Sequence, residues 1–433
     1  MTFIFFHKIK GHLSGKSELL WLTIGQVISI LFSLIMIKII TKIGPSDFGI
    51  YSLILSVSGL FSALLVGPSE QGFIRYFYNF NKIEQTRRFL NVVYIFFILT
   101  ASFIILISWF FYLLKIFKDL NSLLIGCFII SFTFSSFFLS LFNLIRKRKL
   151  NTLLIIFEKF LTTILLYLLY ILENLNISNV LIVLSISILI GLTARIIYFN
   201  RVFEYKVLPN FKMVGFREFL IYKKIFLFSL PLVIWGIANW LGVSSDRWII
   251  VNFTNLNIVG IYSLMMALSS YLIATPIGVI VQYFQPIIFE QIINTNSDSN
   301  KSFDNFIRGC IIIVFFGLMF SIFFGKLVLS YIAIEYSVYW YFLPFFCVSI
   351  GVFQIAQSYT LIGMIHEKPK IYLMPKIILG LISFIFNVIG IYYFKLNGLT
   401  VSMICSSSIY LILIIRTNRK FQRKYNNENI TYS

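Results

Sequence analysis

The hydrophobic positions of this chain fall in long runs separated by short breaks that are charged or rich in Pro and Asn. About 20 consecutive apolar residues let a helix cross about 30 Å of hydrocarbon. On that criterion the pattern predicts six spans at Ser17–Thr41, Asp47–Val66, Phe89–Leu114, Leu120–Leu144, Asn151–Leu172 and Ile177–Phe199. It predicts six more at Ile225–Val243, Val259–Phe284, Phe306–Tyr331, Tyr339–Met364, Ile371–Tyr393 and Gly398–Ile415. The runs are too long for barrel strands, and no lipid-exposed backbone group can go unpaired, so each span is expected to be a helix. Six mostly apolar residues precede His7, Lys8 and Lys10, and no small-residue cleavage site follows. The first long run is therefore expected to stay as a helix and not to be a cleaved signal.

Composition agrees with this reading. Of 433 residues, 59% are hydrophobic and only 12% charged, about half the charged fraction of a soluble domain. A soluble fold of this size could not hide so much apolar surface. The net charge of +20 invites a nucleic-acid reading, but the Lys and Arg residues sit in short clusters between apolar runs. Their distribution is topological. With the N-terminus placed inside, 27 Lys and Arg fall in or beside the cytoplasmic connections, including Lys376 beside the tenth-to-eleventh connection. Only 6 fall on the other side: Lys42, Lys115, Lys118, Arg247, Lys326 and Lys395. Retention of positive connections inside predicts that both termini are cytoplasmic.

A five-residue string recurs. Gly49-Ile50-Tyr51-Ser52-Leu53 opens the second span and Gly260-Ile261-Tyr262-Ser263-Leu264 the eighth, and each helix reaches an aromatic pair near its cytoplasmic end, Tyr76-Phe77 and Tyr283-Phe284. Six spans is an even number, so the halves are expected to point the same way, related by an axis along the membrane normal. The expected organisation is an all-α polytopic membrane protein of about twelve transmembrane helices in two parallel six-helix lobes around a central cavity. The lobes are residues 1–199 and 225–415, joined by a basic cytoplasmic loop, 200–224, and followed by a basic cytoplasmic tail, 416–433. That is the architecture of an alternating-access transporter.

Charge at membrane depth costs several kcal/mol and marks candidate sites. Lys38 lies about one turn from the outer end of span 1, where snorkelling and a cavity-facing role are both open. Glu158-Lys159 sits about two turns inside span 5. Adjacent residues point about 100° apart on a helix, so at least one is expected to face a cavity or another helix. Arg195 reads as a snorkelling anchor near the end of span 6. In Asn239-Trp240-Leu241-Gly242-Val243-Ser244-Ser245-Asp246-Arg247, Asn239 and Asp246 would share a face if the helix continues, as would Trp240 and Arg247. The alternative is a helix end with Asp246-Arg247 as a solvated pair. Pro231, Pro276, Pro344 and Pro375 interrupt or open spans 7, 8, 10 and 11. Cys127, Cys310, Cys347 and Cys405 are isolated in apolar runs and read as small buried hydrophobes. His7, His12 and His366 fall in loops or the N-terminal tail. No phosphate-cradling glycine loop or metal-ligand cluster stands in the sequence, so neither a cofactor nor ATP use is expected.

The stretch from Lys38 through Thr41-Lys42-Ile43-Gly44-Pro45-Ser46-Asp47-Phe48-Gly49-Ile50-Tyr51-Ser52 resembles the "LGP-x-[DE]-[FY]-G-x-[YF]-S" segment of polysaccharide-repeat flippases. These belong to the multidrug/oligosaccharidyl-lipid/polysaccharide exporter superfamily. Gly72-Phe73-Ile74-Arg75-Tyr76-Phe77 looks like the segment closing the second helix of that family. Leu230-Pro231-Leu232, Asn239-Trp240, Ser245-Asp246-Arg247 and Val259–Ser263 are similar to its seventh and eighth helices. The resemblance covers Lys38–Phe77 and Leu230–Phe284; elsewhere it rests on hydropathy, length and helix count.

It implies a flippase for an undecaprenyl-diphosphate-linked oligosaccharide, the repeat unit of an O-antigen, capsule or similar polymer. Such a protein works in the bacterial inner membrane, with a cationic cavity open alternately to each side and a proton or sodium gradient as the driving force. A polysaccharide polymerase is an expected partner, and no nucleic acid is. A diphosphate crossing a low-dielectric path needs cationic partners. Lys38, Arg75, Lys159 and Arg247 are the candidates, with Asn239 and Trp240 as further cavity-lining candidates. Asp246 and Glu158 are candidates for ion coupling. Two other readings compete. A drug/cation antiporter of the same superfamily would prefer an anionic cavity, whereas basic residues outnumber acidic ones at depth here. An integral-membrane polysaccharide polymerase or glycosyltransferase would carry a long outer loop, whereas all outer loops here are short.

Overall fold

The computed structural model describes residues 15–77, 83–113, 120–145, 147–202, 216–293, 298–365 and 368–430. The three histidines and most of the basic loop 200–224 lie outside these residues, as does the side chain of Arg75. The described chain is helical almost throughout, with no strand, as a backbone that must satisfy itself in lipid requires. Its main helices are α1 (Gly15–Ile40), α2 (Pro45–Phe61), α3 (Gly67–Phe77), α4 (Ile83–Leu113), α5 (Ser122–Leu144), α6 (Arg148–Ile171) and α7 (Ile177–Val202). They continue with α8 (Phe216–Val243), α9 (Asp246–Phe253), α10 (Leu256–Ser269), α11 (Thr275–Ile293), α12 (Asp298–Ile332), α13 (Leu343–Tyr359) and α14 (Leu373–Ile430).

Among the described residues, eleven helical stretches are long and apolar enough to cross a membrane. The last of them, Pro369–Arg423, has 55 residues, enough for two crossings. Lys395 divides it, with φ 53° and ψ −136° inside an otherwise helical run. The break falls between the expected spans Ile371–Tyr393 and Gly398–Ile415, which makes twelve spans. Beyond Ile415 the helix runs on to Ile430, so residues 416–430 form a helical extension of the last span.

The repeated strings open matching helices. Gly44, at φ +95°, turns the chain into α2, a conformation glycine adopts without steric cost. Asn255 caps α10, its Oδ1 accepting from the Ile258 amide at 3.0 Å. Each helix then widens by one residue into a π turn, Ser62–Val66 in the first half and Ser270–Ala274 in the second. Both turns end two residues before a proline, Pro68 and Pro276. Proline lacks an amide hydrogen and its ring strikes the carbonyl four residues back. The wider turn absorbs that conflict by pairing i with i−5: Gly67 N donates to Ser62 O, and Thr275 N to Ser270 O.

One expectation changes here. Gly67-Pro68-Ser69-Glu70 reads as the end of span 2 at Val66, but the spanning stretch continues from Pro45 to Ile74. The π turn carries the helix past the proline.

The chain divides into two compact units, Met1–Ile237 and Ala238–Ser433. The first has an aromatic core in which Phe73, Phe89, Phe97, Phe137 and Phe138 are buried; Phe73 and Phe137 meet edge-on at 5.6 Å. The second packs Ile273, Ile277, Cys310 and Cys347 among aliphatic and aromatic neighbours, Phe306 among them. Between spanning helices lipid removes most of the hydrophobic drive, so close packing of this kind holds each unit together. Cys127 and Cys405 are exposed, so only two of the four cysteines are buried.

Candidate functional site

The first unit contains a buried ionic cluster built on α5, α6 and α7. Arg195 of α7 is fully buried, and its Nη1 pairs with Oε1 of Glu158 on α6. The same guanidinium lies 3.3 Å from Ser135 Oγ and 3.4 Å from Asn151 Oδ1, to both of which it donates. Its Nη2 is buried with no hydrogen-bond acceptor among the described residues. This corrects the reading of Arg195 as a snorkelling anchor: its side chain turns inward because Glu158 lies one helix away. Gly191, one turn before Arg195 on α7, makes room, since a Cβ there would overlap the Glu158 carboxylate.

Lys159 points elsewhere, as adjacent helical residues must. Its Nζ donates to Ser33 Oγ on α1, and Ser33 is itself buried. One carboxylate and two cations thus meet at this depth. Glu158 is taken up by Arg195 and Lys159 is held by a neutral hydroxyl, so the cluster sets two basic side chains against one carboxylate. Lys38, in the last turn of α1, is half-buried.

The second unit holds a different arrangement. Helix α8 stops at Val243 and the Ser244 and Ser245 amides both return to Trp240 O, at 2.8 and 3.2 Å. The helix therefore does not continue, and the seven-residue spacing of Asn239 with Asp246 and of Trp240 with Arg247 does not create a shared face. Asn239 and Trp240 are half-buried on the last turns of α8.

Asp246 opens α9 and is 3% exposed, so it is not part of a solvated pair. Its carboxylate accepts from the Tyr262 hydroxyl and, at 3.0 Å, from the Arg247 amide. Arg247 Nη1 stands 3.5 Å from Asp246 Oδ1, and its guanidinium lies 5.7 Å from the centre of the Tyr262 ring. Asp246 lies in the connection between two spans. Burial pushes its carboxyl up to about 6, against the opposing pull of Arg247.

Asp246 also lines a small cavity of about 60 Å³ together with Ser349, Ser383, Asn387, Ser406 and Ser407, large enough to hold a few waters. Asn387 is buried, and its Oδ1 meets no hydrogen-bond donor among the described residues.

Two charged positions escape a linear reading. Glu70 lies on α3 past the apparent end of span 2, half-buried, with a hydrogen bond to the Ser140 side chain. Lys376, counted from sequence among the cations in or beside the cytoplasmic connections, is fully buried, its Nζ 4.8 Å from the Phe353 ring and 5.2 Å from the Tyr410 ring. The expected span Ile371–Tyr393 already contains it; the enclosure by Phe353 and Tyr410 is what the sequence does not show. Among the described residues no group of three or more His, Cys, Asp or Glu side chains gathers to hold a metal ion.

Residues 16–291 match the family described as "Polysaccharide biosynthesis protein". The chain belongs to that family. Its fold is that of solved transporters of the multidrug/oligosaccharidyl-lipid/polysaccharide exporter (MOP) superfamily. An inward-facing multidrug resistance MATE family transporter aligns with TM-score 0.68 at 13% identity, over 92% of this chain and 96% of the other. The lipid II flippase MurJ in an inward closed conformation aligns with TM-score 0.71 at 12% identity, over 92% and 87%. A MOP superfamily transporter from Pyrococcus furiosus, described as having a binding pocket of reversed polarity, gives 0.63 at 13%, over 94% and 95%. No curated protein sequence matches the chain. These likenesses agree with the all-α, multi-pass architecture expected from the sequence.

Proposed function

We propose that this member of the polysaccharide biosynthesis family is a flippase. In this reading it moves an oligosaccharide linked to undecaprenyl diphosphate across the bacterial inner membrane by alternating access, with both termini in the cytoplasm. The cluster of Glu158, Lys159 and Arg195, two basic side chains against one carboxylate, carries the reading. A diphosphate headgroup in a low-dielectric path needs a cation whose charge is not cancelled nearby. Lys159 meets that need because Glu158 is engaged by Arg195. Lys38, Arg75 and Arg247 are the further cationic contacts in this reading, with Asn239 and Trp240 as polar and aromatic contacts to sugar. The family description and the shared fold with a lipid II flippase support the same substrate class.

Coupling to an ion gradient rests on Asp246. A buried carboxylate, an amide oxygen with no donor and several hydroxyls around a small cavity suit a proton or a desolvated monovalent cation. Glu158 is the weaker coupling candidate, being held in an ion pair. The lobes proposed from sequence, 1–199 and 225–415, would rock about the substrate path.

Deletion of the gene in its host tests the proposal. Loss of surface polymer with lipid-linked repeat accumulating on the cytoplasmic face is expected. Accumulation of single repeats outside would indicate a polymerase, and unchanged polymer with increased sensitivity to cationic drugs an antiporter.

A further inference from the structure

The last helix ends in a pattern that the flippase reading does not use. Arg416, Arg419, Lys420 and Arg423 of α14 are all exposed. Positions i, i+3, i+4 and i+7 lie on one face of a helix, and Lys424 continues the series in sequence. None of the four side chains pairs with an acid among the described residues.

The opposite face is fastened. Ile414 and Asn418 are buried. Asn418 Nδ2 donates to Tyr359 O at 3.0 Å, and the hydroxyl of the fully buried Tyr372 donates to Asn418 Oδ1. The Gly363 amide closes the network on the Tyr372 hydroxyl at 2.8 Å. One turn further, Lys368 Nζ lies 5.7 Å from the Phe421 ring. That clasp brings a second basic element, exposed Lys368 and Lys370, to the same end of the second unit. Surface charges of a merely solvated tail need no such anchoring.

We infer that these two basic elements form a binding site for the headgroup phosphate of an anionic phospholipid in the adjacent leaflet. The last apolar run ends at Ile415, which is the expected hydrocarbon boundary, and Arg423 lies about 10 Å beyond Arg416 along the helix. The headgroup layer is only about 5 to 8 Å deep on each side. Helical side chains lean toward the helix N-terminus, however, which here is the membrane side. Long Arg and Lys stems at 419, 420 and 423 therefore reach back into the phosphate layer. An acidic protein would be met better by side chains leaning outward, and the clasp keeps the helix from swinging to another orientation.

The test uses the full chain in mixed-lipid nanodiscs, with native mass spectrometry counting retained phosphatidylglycerol against phosphatidylcholine. The wild type retains phosphatidylglycerol selectively. The triple variant Arg419→Gln/Lys420→Gln/Arg423→Gln binds it on the order of a hundredfold more weakly, since each basic residue near an anionic surface is worth about a fivefold factor. The pair Lys368→Gln/Lys370→Gln weakens it as well, and Arg419→Lys/Arg423→Lys retains it. An unchanged thermal midpoint shows that the clasp survives in each variant; if the triple variant does not fold, the Lys368/Lys370 pair decides. Equal retention of phosphatidylcholine, or phosphatidylglycerol binding unaffected by both sets of neutral variants, overturns the site. Preferential retention of undecaprenyl diphosphate that the triple variant loses overturns it too, and makes the stripe a station for the transported lipid. Capture of an acidic protein, with no lipid selectivity, assigns the stripe to a protein partner and also overturns it.

Discussion

The guanidinium of Arg195 and the carboxylate of Glu158 meet inside the first unit, 37 residues apart in the chain and one helix apart in space. Each would be costly alone. Paired, and braced by Asn151 and Ser135, they leave Lys159 to the Ser33 hydroxyl on α1.

Breaking that pair exposes its cost. Arg195→Ala leaves Glu158 buried without its cation, and a loss of about 3 to 5 kcal/mol of stability is expected. The double variant Glu158→Gln/Arg195→Met recovers most of it. Thermal unfolding of the purified protein in detergent is the measurement; equal midpoints for the single and double variants would contradict the pairing. Gly191→Ala is expected to reproduce the single loss, because its methyl overlaps the carboxylate.

Lys159 should separate function from folding. Lys159→Gln is expected to fold and express normally while polymer export falls about tenfold or more, the value of a charge-assisted hydrogen bond of about 1.5 to 3 kcal/mol. Ser33→Ala removes only the neutral partner on α1 and is expected to lower export less. Surface polysaccharide quantified at matched protein levels distinguishes them. Full export by Lys159→Gln would remove the cation from the substrate path.

Asp246 gives the site a pH dependence. Its carboxyl is pushed up to about 6 by burial, so it carries charge above that pH and loses it as pH falls through 6. In the sodium form of the coupling, uptake driven by a cation gradient in proteoliposomes is expected to fall below pH 6. Asp246→Asn would be inactive at every pH. The same shift acts on stability with a definite sign. The folded carboxyl holds its proton more tightly than an unfolded one, so this group's contribution is largest at acid pH and declines as pH rises through 4 to 6. A melting midpoint that Asp246→Asn leaves with the wild-type pH slope would refute the assignment.

The two π turns make a prediction about backbone motion. Pro68→Ala and Pro276→Ala each restore an amide and remove the clash that the wide turn absorbs. Amides at 62–67 or 270–275 are then expected to exchange hydrogen more slowly, with stability equal to or above wild type. Transport is expected to fall. Unchanged exchange in both variants would show that neighbouring packing, and not the proline, sets the turn.

The spans and the break between the last two were legible from residues because lipid imposes one length and one polarity on every crossing. The Lys395 boundary lies where Asn397-Gly398 already interrupts the apolar run. The pairing of Glu158 with Arg195 was not legible, since no local spacing links α6 to α7 and only the packing of those helices brings the two together. The end of α8 at Val243 is where the apolar run Ile225–Val243 stops; whether the helix continues to Arg247 is not settled by spacing. The break comes from local hydrogen bonds, with the Ser245 amide reaching five residues back to Trp240 O and its hydroxyl donating to Leu241 O, a choice that a seven-residue spacing does not encode. Lys376 falls near the start of the expected span Ile371–Tyr393, where a long stem can reach the interface, and only packing brings Phe353 and Tyr410 around it.

Ser62 with Pro68 and Ser270 with Pro276 form a signature that the charges do not share. The two halves no longer share their ionic residues: one buries an arginine against a glutamate, the other sets an aspartate beside a tyrosine. They still share an inserted residue at the same distance before the same imino acid. Duplication of one ancestral bundle would leave that pattern, with the crease inherited and the chemistry rewritten on each copy.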